Sequence, residues 1–372
     1  MATTTIRHAR ADKSVTPAGR VGAWLYRNLF STPTNCFLTL ASVWLLWLIV
    51  PPVVDWAIID AQWRGTGGAA CPDRNAACWV FIRERFDQIV FGTYPKGERW
   101  RVEIVMLLAG GGLGALLFPG VPRKAWIGGA MLSVFPVVAT TLLVGGVFGL
   151  APVETSEWGG LMLTLVAAAW GIVTSMPLGL VLALGRRSQM TVVRGASIAF
   201  IEFWRGVPLI GVLFMAASMF PLFMPPGTSI DRLMRALAAF SVFNAAYMAE
   251  VFRGGLQAIP VAQYEAARAL GLGYWRMMRL VILPQAIRIV IPGLVNTCIG
   301  IFKETTLILV IGLVELLGVV QAGMADPEWL VGDHIRETGY FFAGLGFWVF
   351  CFGISRYSAR LEARLAVGRA TG

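Results

Sequence analysis

Eight long apolar runs, near 37–58, 102–118, 125–148, 159–184, 206–224, 234–252, 286–302 and 340–356, constrain this chain more than any other feature. A helix crossing about 30 Å of hydrocarbon needs roughly 20 mostly apolar residues. Backbone polar groups in lipid must be satisfied inside the segment or in a closed barrel, and runs of this length exclude barrel strands of about 10 alternating residues. The runs predict an all-α membrane protein with about eight transmembrane helices. Composition agrees. Apolar residues make up 57% of the chain and charged residues 14%, against roughly 45–50% and about 25% in soluble domains. So few charges cannot solvate a soluble surface of this size, which excludes a cytosolic enzyme and a disordered chain.

The net charge of +10 would suggest nucleic acid in a soluble protein. In a membrane protein it marks basic cytoplasmic loops. The tail over 1–36 holds Arg7, Arg10, Lys13, Arg20 and Arg27 against Asp12, so it is expected in the cytoplasm. Alternating eight spans then puts Arg123, Lys124, Arg186, Arg187, Arg194, Arg268, Arg276 and Arg279 inside, with a basic tail over 361–372. Glu154, Glu157, Asp326, Glu328, Asp333 and Glu337 fall outside, and Arg232 and Arg235 beside Asp231 are a mild exception. Both termini are expected in the cytoplasm.

The polar stretch 59–101 reads as an extracytoplasmic insertion within a unit of three spans over 37–150. It has little apolar core of its own. Cys71 and Cys78 lie in it, in a compartment that permits disulfides, and are either bridged around Pro72 or two unpaired thiols. Gly110/Gly114 and Gly145/Gly149 have the GxxxG spacing of close helix approach. Leu307–Leu317 is too short to span and reads as a broken or re-entrant piece flanked by Gly312 and Gly318. There is no HExxH, CxxC or GxxxxGK[ST], so neither a catalytic nor a metal site is expected, and intrinsic nucleotide hydrolysis has no motif.

Tyr264–Pro284 reads YEAARALGLGYWRMMRLVILP. Glu265, Ala266 and Ala267 open a helical turn, Gly271 and Gly273 break it, and an amphipathic piece with Trp275, Met278 and Val281–Leu283 follows. Small residues beside a glycine break make a knob that fits a groove on another protein, or else the piece merely lies on the membrane surface. The segment resembles the hallmark cytoplasmic loop of bacterial ABC importer permeases, in which EAA, three residues, Gly, nine residues, Ile, one residue and Leu-Pro follow in order. Here Glu265, Ala266, Ala267, Gly271, Leu283 and Pro284 match, and Val281 replaces isoleucine.

Phe203–Leu209 (FWRGVPL), Asn244–Glu250 (NAAYMAE) and Phe302–Leu307 (FKETTL) resemble segments of the polar amino-acid permeases of the histidine/glutamine type. The segment Phe91-Gly92-Thr93-Tyr94-Pro95 through Glu98-Arg99-Trp100-Arg101 is similar to the M-type permease of the general L-amino-acid transporter. The resemblance implies a five-helix type I (MetI-like) importer core over 155–360, preceded by three extra spans. It implies a bacterial inner-membrane permease subunit that translocates polar or general L-amino acids. Its expected partners are ABC ATPase subunits docking on 264–284, a second permease and a periplasmic amino-acid-binding protein. No cofactor is expected on this chain, since ATP would be used by the ATPase partner.

Polar residues inside spans are costly and need a reason. Asn244 and Tyr247 share a helix face and either hydrogen-bond substrate or bridge two helices. Lys303 and Glu304 are adjacent and diverge; one would line a pathway, with Glu304 meeting a substrate ammonium, while the other reaches a headgroup. Glu202/Arg205 and Glu250/Arg253 are i,i+3 pairs near span ends, read as local ion pairs or gating contacts. An ion-coupled secondary transporter is the alternative, although few intramembrane carboxylates are available to it. An intramembrane hydrolase would need a nucleophile with a base, and neither His8 nor His334 lies in a span.

Overall fold

The computed structural model describes residues 17–71, 75–118, 120–228, 230–329 and 335–370. The tail through Thr16, Pro72 between the two cysteines, and Asp333 with His334 lie outside the described residues, as do the side chains of Arg20, Arg364 and Arg369. Among the described residues there is no β-strand, only three isolated bridges. The chain runs through α1 (Pro17–Leu29), α2 (Pro33–Val54), α3 (Trp79–Phe91), α4 (Arg99–Leu117), α5 (Lys124–Val144), α6 (Gly160–Arg186) and α7 (Thr191–Gly206). It continues through α8 (Leu209–Phe214), α9 (Arg232–Gln257), α10 (Val261–Ala269), α11 (Tyr274–Met277), α12 (Leu283–Glu304), α13 (Leu316–Met324) and α14 (Ile335–Ala370).

Six helical segments are long and apolar enough to cross a membrane: Pro33–Ile59, Lys96–Leu117, Lys124–Val144, Gly160–Arg186, Tyr274–Ile311 and Ile335–Ala363. The expected fifth span is instead a pair of helices, Thr191–Gly206 and Leu209–Phe223, bent by 100°. Val207-Pro208 is the cause: proline lacks the N–H needed to continue the ladder, and the residue before it is pushed to extended backbone. The expected sixth span is helical as α9, but Arg232, Arg235, Glu250 and Arg253 keep it below the apolarity of the others. It is the central helix, sheathed by neighbours rather than by lipid.

Two side-chain classes join α6 to α9. Gly171 faces Phe240, and Gly179 faces Met248 and the backbone of Ala245 and Ala249, so close that a Cβ at Gly179 would fall 2.5 Å from Met248 Cβ. Small residues at such points let helix backbones approach. Between them the Thr174 hydroxyl hydrogen-bonds that of Ser241 at 2.7 Å. These pairings run in the same order along both helices, and Thr155 meets Asp231 at one end while Arg186 meets Glu250 at the other. Helices α6 and α9 are therefore parallel, and the chain between them, through the bent pair, must traverse the bundle. The GxxxG spacings have no such role. A Cβ at Gly110 or Gly114 would meet nothing within 4 Å, and Gly145 and Gly149 lie in the turn after α5 with φ of +69° and +77°.

The insertion is seated on the downstream helices and shares an apolar interior with them. Val80, Phe81, Ile82 and Ile89 of the insertion pack with Leu316, Val320, Met324, Trp329 and Ile335 in one buried cluster. Phe81 meets Trp329 edge-on at 5.2 Å, Arg85 pairs with Asp326, and the Cys78 N–H donates to Thr338 Oγ1 at 2.9 Å. The insertion has little core of its own: about half of the cluster comes from α13 and α14, more than 200 residues downstream. Cys71 and Cys78 are joined by a disulfide with a Cα–Cα distance of 5.8 Å.

The segment after α3 ties this unit down. Tyr94 is buried and its hydroxyl donates to Leu143 O at 2.9 Å, with burial pushing its phenol above the ordinary value. Buried Arg101 pairs with Glu98 at 2.6 Å and donates to Ala151 O at 2.8 Å.

Gly312, at φ +77°, ends a 3₁₀ turn over Thr305–Ile311 and so breaks the apolar stretch as expected. Gly318 does not flank it. It lies inside α13, where its N–H donates to the Glu315 carboxylate at 2.9 Å.

Two outcomes test this packing. In oxidised, denatured protein a thiol reagent should label Cys36, Cys298 and Cys351 only, and reductant should add Cys71 and Cys78; five labelled cysteines without reductant would break the assignment. Gly179→Val should destabilise the bundle by about 1–3 kcal/mol or more, as overpacking does, whereas Gly110→Val should be nearly silent. Paired thermal melts in detergent compare the two.

Candidate functional site

Helix α10 carries Glu265, Ala266 and Ala267 and ends in a left-handed glycine. The Gly271 N–H bonds Arg268 O at 2.9 Å and the Leu272 N–H bonds Ala267 O at 3.1 Å, the paired pattern of a Schellman cap. Gly271 has φ +72°, which other residues adopt only with strain. Gly273 is different: its backbone is extended and it starts α11. Beyond it the expected separate amphipathic piece is continuous with the following span, through a π turn over Met278–Ile282 into α12.

Ala267, Met277, Met278 and Ile282 are buried against the bundle, with Leu272, Val281 and Leu283 packed beside them. Glu265, Ala266 and Pro284 are exposed, and Leu270 and Trp275 stand 79% and 72% exposed. The loop is thus a knob with its stem in the core and an apolar tip outside. No other described residue covers that tip.

At the same end of the bundle Glu250 collects cations. Arg186 reaches it at 2.8 Å, Arg253 at 2.7 Å and Arg205 at 3.9 Å. The i,i+3 pair Glu250/Arg253 forms. The pair Glu202/Arg205 does not: Glu202 meets Arg186 at 3.1 Å, and the Arg205 guanidinium turns over the Tyr247 ring, 6.0 Å from its centroid. Arg187 donates to the Tyr264 hydroxyl and to Leu256 O, both at 2.8 Å, which links the end of α6 to the knob.

At mid-height, the structure brings together two of the four pathway residues. Asn244 is 2% exposed at the midpoint of α9, and its amide donates to Phe240 O at 3.0 Å. Its side chain lies beside Glu304 at the end of α12. One oxygen of that carboxylate, Oε2, is buried with no hydrogen-bond partner, an open acceptor where unmet polar atoms are costly. Tyr247 and Lys303 do not join this pair. Tyr247 packs on Phe243 at 5.2 Å and Lys303 is exposed.

Sequence reasoning passed over Arg186 and Glu315. Arg186 was one basic residue among many, and its bridging of Glu202 and Glu250 depends on α7 and α9 meeting there. Glu315 is fully buried, and its carboxylate accepts the Leu317 and Gly318 N–H groups at 2.9 Å each, capping α13, while Thr164 of α6 receives the Leu316 N–H at 3.0 Å. A lone carboxylate in an apolar stretch was the available signal. Among the described residues no group of three or more His, Cys, Asp or Glu is placed to hold a metal.

Comparison with known proteins bears on this geometry. Residues 175–367 match the family model described as binding-protein-dependent transport system inner membrane component. The inner membrane amino-acid ABC transporter permease protein YhdY of Escherichia coli is 49% identical over 352 residues, 95% of each chain. The glutamate/glutamine/aspartate/asparagine transport system permease protein BztC of Rhodobacter capsulatus is 37% identical, covering 94% of this chain and 95% of its own. A solved amino acid ABC transporter with histidines is similar at 28% identity and a TM-score of 0.48, covering 55% of this chain and 92% of that one. With the family model spanning more than half of its length and near-full-length relatives above 30% identity, the chain belongs to the binding-protein-dependent transport system inner membrane component family.

Proposed function

We propose that this chain is the permease subunit of an ATP-driven importer that moves polar or general L-amino acids across the bacterial inner membrane. The observation that carries the reading is the knob over 264–284: a glycine-capped helix rooted in the core, with a bare apolar tip on a chain that has no nucleotide-hydrolysis motif. In this reading ABC ATPase subunits dock on Glu265–Pro284, a second permease completes the path, and a periplasmic amino-acid-binding protein delivers substrate. The two near-full-length relatives, named as amino-acid transport permeases, support the substrate class.

Counting the bent pair and α9 as one crossing each brings the six apolar spans to eight. Three of these precede a five-helix MetI-like core, and both termini are cytoplasmic. The parallel α6 and α9 support the count, and the basic residues around the knob support the orientation. The insertion then faces the receptor side. Asn244 and Glu304 form the polar step of the path, where the open Glu304 oxygen receives a substrate ammonium while Lys303 reaches a headgroup. Nothing in the comparisons favours an ion-coupled carrier.

Transport would be a two-state change, biased by nucleotide at the knob and by loaded receptor at the opposite face. Reconstitution with candidate ATPase and receptor subunits tests it: uptake of radiolabelled amino acids should need ATP, and uptake driven by an ion gradient alone would refute the reading.

Two variants probe its parts. Gly271→Val forces a β-branched residue into a left-handed conformation, at a cost of about 1–2 kcal/mol or more, with no clash because a Cβ there meets nothing within 4 Å. The variant should insert normally yet lose receptor-stimulated ATP hydrolysis; full stimulation would remove the knob from the coupling path. Glu304→Gln should lower uptake about tenfold or more, since a hydrogen bond to a charged group contributes about 1.5–3 kcal/mol, without loss of membrane insertion. Unchanged kinetics across several amino acids would make Glu304 a packing residue.

A further inference from the structure

The end of the bundle that holds Glu250 also holds a cavity that its ion pairs leave open. It measures about 350 Å³ and is lined by Arg186, Arg187, Arg194, Ile198, Arg253 and Gln257. Arg186 of α6, Arg187 just after it, Arg194 of α7 and Arg253 of α9 therefore line one space. Arg186 and Arg253 are neutralised by Glu202 and Glu250. Among the described residues the other two meet no carboxylate. Arg187 bonds only a carbonyl and a phenol, and among the described residues Arg194 has no ion pair or side-chain hydrogen bond.

Helix dipoles explain part of the cluster but not all of it. Cations are favoured at a helix C-terminus, where Arg186 sits on α6, and Arg253 is held by Glu250. Arg194 lies in the opening turn of α7, where a positive charge is disfavoured. Two uncompensated guanidiniums, one of them against its own helix dipole, are what an external anion would offset. Guanidinium donors suit phosphate oxygens, which they bind in a bidentate fork.

The surroundings favour a source for that phosphate. Val181 on α6, Met190 before α7 and Val192 on α7 are 66%, 64% and 83% exposed. Apolar side chains with nothing packed on them, next to a basic cavity at the end of spanning helices, mark the level where acyl chains give way to headgroups.

We propose that this cavity binds a phosphate group, carried by the headgroup of an anionic phospholipid or present as free phosphate, with Arg187 and Arg194 as its principal ligands. The proposal uses the orientation of the preceding section, which puts the cavity at the cytoplasmic leaflet. Its ligand binds beside Tyr264, so occupancy stiffens the contact between α6 and the knob through Arg187.

The full chain in neutral detergent is titrated with phosphatidylglycerol or phosphatidylcholine, and retained lipid is counted by native mass spectrometry. Phosphatidylglycerol should be retained in preference, and Arg187→Gln with Arg194→Gln should weaken retention by about tenfold or more. Arg194→Gln alone, at an exposed position that leaves the fold intact, should give a smaller loss in the same direction.

Inorganic phosphate is the second arm. If it shows the same arginine-dependent binding while phosphatidylglycerol shows none, the phosphate site stands and its ligand is free phosphate. Equal lipid retention by the parent and both variants, without arginine-dependent phosphate binding, overturns the proposal. So does a loss of ATPase-subunit association in the variants with lipid and phosphate binding unchanged, which would make the cavity a protein contact. Lipid counting needs neither ATP nor a receptor, so failure of the importer reading in uptake assays is read separately.

Discussion

Everything in this molecule is arranged around the close, parallel approach of α6 and α9. Lipid tails are as apolar as the helix faces, so hydrophobic burial alone does not drive such helices together. Contact comes from shape, and here two glycines supply it, with Gly171 receiving the Phe240 ring and Gly179 receiving Met248 and the adjacent backbone. The Thr174–Ser241 hydrogen bond between them adds about 0.6 kcal/mol by analogy with other intramembrane pairs, which sets register more than strength. That register brings Glu250 level with Arg186, and a shift of one helical turn would separate them.

Polar groups inside the bundle follow a common economy: each serves two elements. Thr164 ties α6 to the start of α13, and Glu315 caps α13 from a position with no exposure. Tyr94 and Arg101 hold the chain after α3 to the turn that follows α5. Glu304 is the carboxylate that departs from this habit, with one buried oxygen left without a partner, as Arg101 Nε and the indole nitrogens of Trp158 and Trp329 are left among the donors. An unpartnered buried acceptor beside Asn244 is the local reason to read it as functional.

The helical class and most of the spans were legible because period and length are local properties of the chain. The knob was legible too, since its EAA turn, glycine and Leu-Pro lie within 21 residues and its cap geometry follows from Gly271. What failed was everything that depends on which face meets which. GxxxG spacing at Gly110 and Gly145 has the same letters as a packing seam, yet the real seam uses Gly171 and Gly179, eight apart in a helix with no such motif. The pairing of Glu202 with Arg205 followed helical spacing, and a nearer cation on another helix won. The partner half of the insertion's core, encoded at 316–335, could not be read from the insertion itself.

That division of one core between distant parts of the chain sets an order of events during synthesis. The insertion helix α3 is complete when Phe91 leaves the ribosome, and α6 then reaches its Ile89 end, but Gly323 and Trp329, which meet Phe81, lie far downstream. At about 5–20 residues per second, Phe81 waits on the order of ten to forty seconds for those partners. During that interval the seven-residue Cys71–Cys78 link is the one covalent constraint among the described residues that needs nothing downstream. Seating of the insertion then reports that α13 and α14 have arrived, so a chain truncated before α13 would leave Phe81 without Trp329 to cover it.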